Sequence, residues 1–396
     1  MSACPLPVDR RQWLVTAAAA ASALATRAAL NSRGGFDSRR LAAAEPRAEA
    51  LGDVPWLSDV QRAPEQLPGD VPELAPLLVD RQGRPITTAA AWETRRGELL
   101  AEWRAILGAP AIPRQPLPQV QVLDEEQVGD VVRRRIRYAT GPGWETEAYV
   151  LRPRAGTPQS QGPQPAAIVL HSTVDHTIRQ PAGLEGPPEK FFGLKLAQRG
   201  YACICPRNYL WPDSGRIAAQ AEAERFLRQY PGATGMAKML HDAQLALDLL
   251  LAEPGVDATR VTAVGHSLGA KEVLYLAAFD PRVTCTVSSE GGIGTRYSNW
   301  DAAWYLGSAI RQPTFRHEHH ELLALIAPRP FLLMGGDSAD GDRSWPFIAA
   351  ALPVYRLLSS APPRLGLLNH RLGHAVPPSV EGKIYQWIEH YGGRRS

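Results

Sequence analysis

The stretch VTAVGHSLGAKEVLYLAAF, beginning at Val261, sets Ser267 between Gly265 and Gly269 at the point where the apolar spacing changes. Before the serine, Val261, Thr262 and Val264 are the β-branched residues of a strand. After it, Ala270, Val273, Leu274 and Leu276 recur with helical spacing. A chain that passes from strand to helix this abruptly turns sharply, and glycine on both sides removes the Cβ atoms that would crowd the turn. The pattern predicts a strand–turn–helix with the Ser267 hydroxyl held above the end of a sheet. The first turn of the helix brings backbone N–H donors and the positive end of the helix dipole beneath it.

The surrounding elements fit such a sheet. Strands are expected in AAIVLHS (166 to 172), YACICP, VTAVGHS, VTCTVSSE, RPFLLMGG and RLGLLNH. Between them lie helices, among them GMAKMLHDAQLALDLLLAEP and SWPFIAAALPVYRLL, and PSVEGKIYQWIEHYG closes the chain. Apolar strands alternating with amphipathic helices predict a mainly parallel central sheet covered on both faces, an α/β fold. VVRRRIRYAT and WETEAYVLRP, separated by GPG, predict a hairpin ahead of it.

The catalytic domain is therefore expected over residues 119 to 396. Residues 51 to 118 read as a helical lead-in whose one helix is capped by Thr87 or Thr88 and stopped by Gly108. Residues 26 to 50 read as a linker. Residues 1 to 25 contain paired Arg10 and Arg11, an Ala-rich run too short to span a bilayer, and small residues at Ala23 and Ala25. This is a twin-arginine export signal pattern, which implies a periplasmic or secreted protein with no stable membrane span after cleavage. Cleavage would remove Cys4 and leave Cys203, Cys205 and Cys285, an odd set that predicts no disulfide framework. With 43 basic against 40 acidic residues and no long basic block, nothing marks a nucleic-acid partner.

A serine hydroxyl is a weak nucleophile near neutral pH and needs a base, itself oriented by a third group. In the strand-turn-helix arrangement the chain order is Ser, then acid, then His. His374, after Gly373 in RLGHAVPP, is the expected base, and His370 the expected structural hydrogen-bonder at the strand end. Asp337, Asp340 and Asp342 follow the penultimate strand in LLMGGDSADGD, and Asp340 is the preferred acid; Asp337 has the alternative of a turn role. Glu290, at the end of VTCTVSSE, is the alternative acid. Oxyanion donors are expected from the backbone N–H groups of Leu268 and of Ser172 or Thr173. His171, Lys271 and Trp300 are candidate substrate-binding residues, with Tyr297, Trp304, Arg207, Tyr209 and Trp211 as further candidates or ordinary packing. Lys271 opposes the helix dipole from the first turn, which is unfavourable unless an anionic or hydroxyl-rich group lies nearby. RHEHHELL lacks the fifth-position histidine of H-E-x-x-H, since Glu321 stands there, so no metal is expected.

GHSLGAK, SSEGG, LLMGGDSAD and RLGHAVPP together resemble the α/β-hydrolases, within them the dienelactone-hydrolase-like and carbohydrate-esterase-like branches. Similarity extends to the glucuronoyl esterases at two points: a lysine one turn beyond the nucleophile, matched by Lys271, and an acid ending the next strand, matched by Glu290. Leu268 departs from the arginine usual in that family. The resemblance implies an exported serine esterase acting on small-molecule or carbohydrate esters, of acetyl or uronate type, through an acyl-enzyme and without a cofactor. A serine peptidase of the same fold, or a binding protein that kept the fold without catalysis, are the alternatives.

Overall fold

The computed structural model describes residues 52–69, 71–108, 116–213 and 215–393, so the expected signal and linker lie outside the described residues. Asp53–Ser396 form one unit. Its centre is a nine-stranded sheet: β1 (Gln121–Val128), β2 (Val131–Gly141), β3 (Trp144–Pro153), β4 (Gln164–Leu170), β5 (Ala202–Pro206), β6 (Val256–His266), β7 (Cys285–Ser289), β8 (Phe331–Gly335) and β9 (Leu365–Asn369). The spatial order is β1-β2-β3-β5-β4-β6-β7-β8-β9. Strands β1, β2, β3 and β5 pair antiparallel, and β5, β4, β6, β7, β8 and β9 run parallel.

The parallel strands are buried on both faces because alternate residues enter two separate cores. Ile168 and Ala263 belong to one, Val169 and Val264 to the other. The first core takes α2 (Ala89–Leu107), α5 (Gly235–Ala252), α6 (Leu268–Phe279), α7 (His320–Ile326) and α8 (Trp345–Leu358). The second takes α1 (Leu57–Val60), α3 (Phe192–Gln198) and α9 (Pro378–Gly392). A further helix, α4 (Ala219–Gln229), buries Phe226 against Trp144 and Tyr209. The connection from β4 runs to β5 on one side and that from β6 to β7 on the other, so the crevice above the carboxyl ends of β4 and β6 is a topological switch point.

Strand β3 and helix α9 coincide with their quoted stretches, and β2 runs one residue beyond its own, into Gly141 of the expected turn. Strand β1 was not foreseen. Its acidic run faces the basic run of β2, with Asp124 opposite Arg135, Glu125 opposite Arg134 and Glu126 opposite Arg133. An exposed charged edge strand has no apolar face to announce it, and its charge discourages pairing with another chain. Cys203, Cys205 and Cys285 are free and buried. No helix among the described residues is long and apolar enough to cross a membrane.

The lead-in helix α2 is integral to the first core. Thr88 caps it by accepting the Ala91 N–H, and Gly108 ends it in the left-handed conformation. Trp92, Leu99, Trp103 and Leu107 are fully buried in the first core. The Trp103 indole donates to Glu321 at 2.7 Å and stacks on His319 with ring centroids 5.5 Å apart. Replacing Trp103 with alanine removes a fully buried indole and leaves Glu321 without that donor. The expected loss is about 3–5 kcal/mol in denaturant unfolding, and an unchanged midpoint would show the lead-in to be dispensable to the fold.

Candidate active site

The turn after β6 is the sharp one the glycine spacing predicts. Ser267 adopts φ 60°, ψ −115°, a conformation costly for a residue with a side chain, on the order of 1–3 kcal/mol. Close packing enforces it. A Cβ at Gly265 would lie 2.3 Å from the Gly269 carbonyl, and one at Gly269 would lie 2.1 Å from the Leu170 carbonyl oxygen. Helix α6 can therefore begin directly against the ends of β4 and β6. The Ser267 N–H donates to the Ser289 carbonyl at 2.8 Å, tying the turn to β7.

His374 reaches the serine from the loop after β9. Its Nε2 lies 2.9 Å from Ser267 Oγ, and its Nδ1 lies 3.0 Å from Glu290 Oε2. Serine, imidazole and carboxylate thus form one hydrogen-bonded series from three strand ends. The Glu290 carboxylate also accepts the backbone N–H groups of Gly336 and of Ala339, the latter at 2.8 Å. Burial pushes the Glu290 carboxyl up, but its bonds to His374, Ala339 and Gly336 outweigh that and hold it below the usual range. The carboxylate is thereby kept charged beside the ring it orients.

Asp340, the preferred acid of the sequence reading, stands elsewhere. Its Oδ2 accepts Gly292 N–H at 2.7 Å, and its Oδ1 accepts Ile293 N–H and the Ser344 hydroxyl, each at 2.8 Å. No bond joins it to His374. The correction has a local cause: Asp340 lies too far along the loop after β8 and turns back onto the loop after β7. The two loops exchange carboxylates, Glu290 binding the amides of one and Asp340 those of the other. Asp337 and Asp342 both accept from the Asn369 side chain, at 2.6 and 2.8 Å. His370 accepts the Leu372 N–H at 3.1 Å.

His171 does not present itself to a substrate. Its Nδ1 is bonded to the Ser172 carbonyl at 2.7 Å and its Nε2 accepts the Asn208 N–H at 3.1 Å. Burial first, with Arg207 and His176 adding to it, lowers its pKa to about 4, so the ring is neutral and structural. The Ser172 N–H points to Gln180 Oε1 at 3.4 Å, a long bond that an oxyanion would have to displace. Leu268 opens α6 directly after Ser267.

Trp300 is likewise no exposed platform. It is fully buried, donates to the Gly292 carbonyl at 2.6 Å and packs on Tyr275, Tyr305 and His319. Arg207, Tyr209 and Trp211 are buried as well, Trp211 lying edge-on to His171. Tyr297 donates to the Arg343 carbonyl at 2.7 Å, whereas Trp304 is only half-buried. The sequence could not separate stacking surface from core because both need the same aromatic residues.

Lys271 is 4% exposed, and its Nζ has no hydrogen-bond partner among the described residues. The amine sits 3.8 Å from the centre of the Trp300 ring and 4.9 Å from that of Tyr305. Burial lowers its pKa to about 7, against the pull of Asp340. The histidines of RHEHHELL anchor the chain: His317 to Glu321, His319 to Ile293 and Tyr275, His320 to the Ala75 carbonyl. Among the described residues no group of three or more His, Cys, Asp or Glu is placed to hold a metal ion.

This sheet, with a serine on a strained turn and a hydrogen-bonded histidine and carboxylate above it, is that of an α/β-hydrolase. Residues 151–303 match the model of the dienelactone hydrolase family. The chain is 24% identical over 235 residues to YtaP of Bacillus subtilis, an alignment covering 56% of this chain and 75% of that one. Among solved structures it is similar to a glucuronoyl esterase from Solibacter usitatus, with TM-score 0.63 and 20% identity, over 82% of this chain and 99% of that one. It is also similar to an acetyl xylan esterase from Paenibacillus sp. R4, with TM-score 0.50 and 16% identity, over 86% of this chain and 99% of that one.

The unpartnered Lys271 amine makes stability depend on pH. Because its pKa falls from the ordinary 10.5 to about 7 on folding, the unfolded chain binds the extra proton between those values. Stability at this residue therefore rises with pH across that window, and the full cost of burying the charge is felt below it. Lys271→Met is expected to raise Tm at pH 6 and to raise it less at pH 9, as read by calorimetry. An equal gain at both values would mean that the amine does not titrate in this range.

Proposed function

We propose that the protein is a serine hydrolase of carboxylic esters in which Ser267 is the nucleophile, His374 the general base and acid, and Glu290 the orienting carboxylate. The observation that carries this reading is the unbroken series from Ser267 Oγ through the two ring nitrogens of His374 to Glu290. His374 Nε2 takes the serine proton as Oγ attacks the ester carbonyl, and returns it to the departing alcohol. A water activated by the same nitrogen then hydrolyses the acyl-enzyme. The N–H of Leu268, at the start of α6, and an N–H of the loop at Ser172 and Thr173 are the donors assigned to the oxyanion.

Carbohydrate-linked esters are the proposed substrates, of uronate or acetyl type. Support comes from the fold shared with the glucuronoyl and acetyl xylan esterases named above. Lys271 adds to it: a donor-rich amine buried near the nucleophile suits a hydroxyl-bearing substrate. Export through the twin-arginine pattern at Arg10 and Arg11 is part of the same reading, since polymeric sugar esters lie outside the cell.

Hydrolysis of an aryl acetate and of a methyl glucuronate ester tests the assignment. Ser267→Ala is expected to lower kcat by about 10⁴-fold or more. Glu290→Gln is expected to cost about 10³- to 10⁴-fold, because the amide can leave His374 in the wrong tautomer. Asp340→Asn is expected to lower Tm while still allowing Ser267 to react with a fluorophosphonate probe. Activity retained by Glu290→Gln and abolished by a well-folded Asp340→Asn would reverse the choice of acid.

A further inference from the structure

His266, immediately before the nucleophile, is buried and takes no part in the proton path. Its ring lies against that of His374, with centroids 4.8 Å apart and planes at 48°. Its Nδ1 is hydrogen-bonded to Ser289 Oγ at 3.0 Å. His266 and Ser289 are also cross-strand partners in β6 and β7. Each immediately precedes a residue of the proposed catalytic series, Ser267 in one strand and Glu290 in the other, and both of those have positive φ, 60° and 57°.

We propose that His266 is a positioning residue: its ring is the wall that keeps the His374 imidazole in line between Ser267 and Glu290, and its bond to Ser289 locks that wall to the strand pair carrying both. The inference rests on the reading of Ser267 and His374 given above. The need for a wall follows from the cycle. His374 sits on a loop, with its side chain 42% exposed, and two hydrogen bonds at opposite ring nitrogens leave the ring free to tilt about the line joining them. Once Ser267 Oγ has bonded to the acyl carbon its proton has passed to Nε2 and on to the departing alcohol, and only the bond to Glu290 still holds the ring. A packed aromatic neighbour then sets the tilt at which Nε2 meets the leaving group and the incoming water. Burial, and after it the nearby Lys190, His374 and His370, keep the His266 imidazole neutral. It therefore adds no positive charge next to the imidazolium that forms on His374.

Three substitutions in the full-length protein separate the ring from its polar atoms: His266→Asn, His266→Leu and His266→Phe. Asparagine and leucine remove the wall, whereas phenylalanine keeps an aromatic ring and discards the bond to Ser289. The expected result is a kcat about tenfold to a hundredfold lower in the Asn and Leu variants, with KM changed by less than about twofold. The Phe variant is expected to keep kcat within about threefold of wild type, because volume-conserving aromatic packing is retained. Labelling of Ser267 by the fluorophosphonate should slow in parallel with kcat. Wild-type kcat in a folded Asn or Leu variant would overturn the proposal, as would a Phe variant as impaired as those two. If Asn does not fold, Leu against Phe decides. Failure of the underlying reading looks different: Ser267→Ala would then hydrolyse the same ester as fast as wild type.

Discussion

The strained turn at Ser267 is the constraint around which the site is arranged. Neither Gly265 nor Gly269 can carry a Cβ, because the first turn of α6 lies against β6 and against the end of β4. That contact seats the helix N-terminus directly after Ser267, against the end of β4. The conformational cost at Ser267 is offset by burial of the α6 face and by the bond from its N–H to Ser289. A hydroxyl placed this way needs no further adjustment to meet a base from the neighbouring loop.

The exchange of carboxylates between the loops after β7 and β8 solves a second problem. Both loops are irregular, and their amides would be buried without partners. Glu290 accepts from Gly336 and Ala339, and Asp340 accepts from Gly292 and Ile293, so each loop is satisfied by a side chain of the other. Glu290 has a spare direction for His374, and the amide donors that hold it also keep it ionised. Asp340, fully buried, accepts instead from Gly292, Ile293 and Ser344. Its environment accordingly pushes its pKa up by burial, whereas the net shift of Glu290 is downward.

Aromatic and histidine side chains near the site divide in a similar way. His319 and Trp300 bind the Ile293 and Gly292 carbonyls and pack on each other, whereas His171 binds the Ser172 carbonyl and packs on Trp211. Lys271 stands beside Trp300 with an Nζ that has no hydrogen-bond partner among the described residues. Its neighbours are π faces rather than carboxylate oxygens, which leaves its donors available at the cost of a lowered proton affinity.

Much of this was legible in the residues themselves. Alternating apolar strands and amphipathic helices dictated a parallel sheet covered on both faces, because such strands have no other way to bury both sides. The glycines around Ser267 dictated the turn, because only a glycine tolerates backbone at 2 Å from its missing Cβ. The place of His374 in a loop after the last strand was legible in chain order, whereas its hydrogen bond to Ser267 is made by the fold. The choice between Asp340 and Glu290 was not, because both stand at strand ends between Ser267 and His374 in chain order, and local sequence carries no record of which loop amides each will meet. The burial of Trp300, the saturation of His171 and the contact of His266 with His374 likewise belong to packing between segments distant in the chain. Periodicity states which way a side chain points from its own strand or helix, whereas only the assembled sheet and loops decide what it meets there.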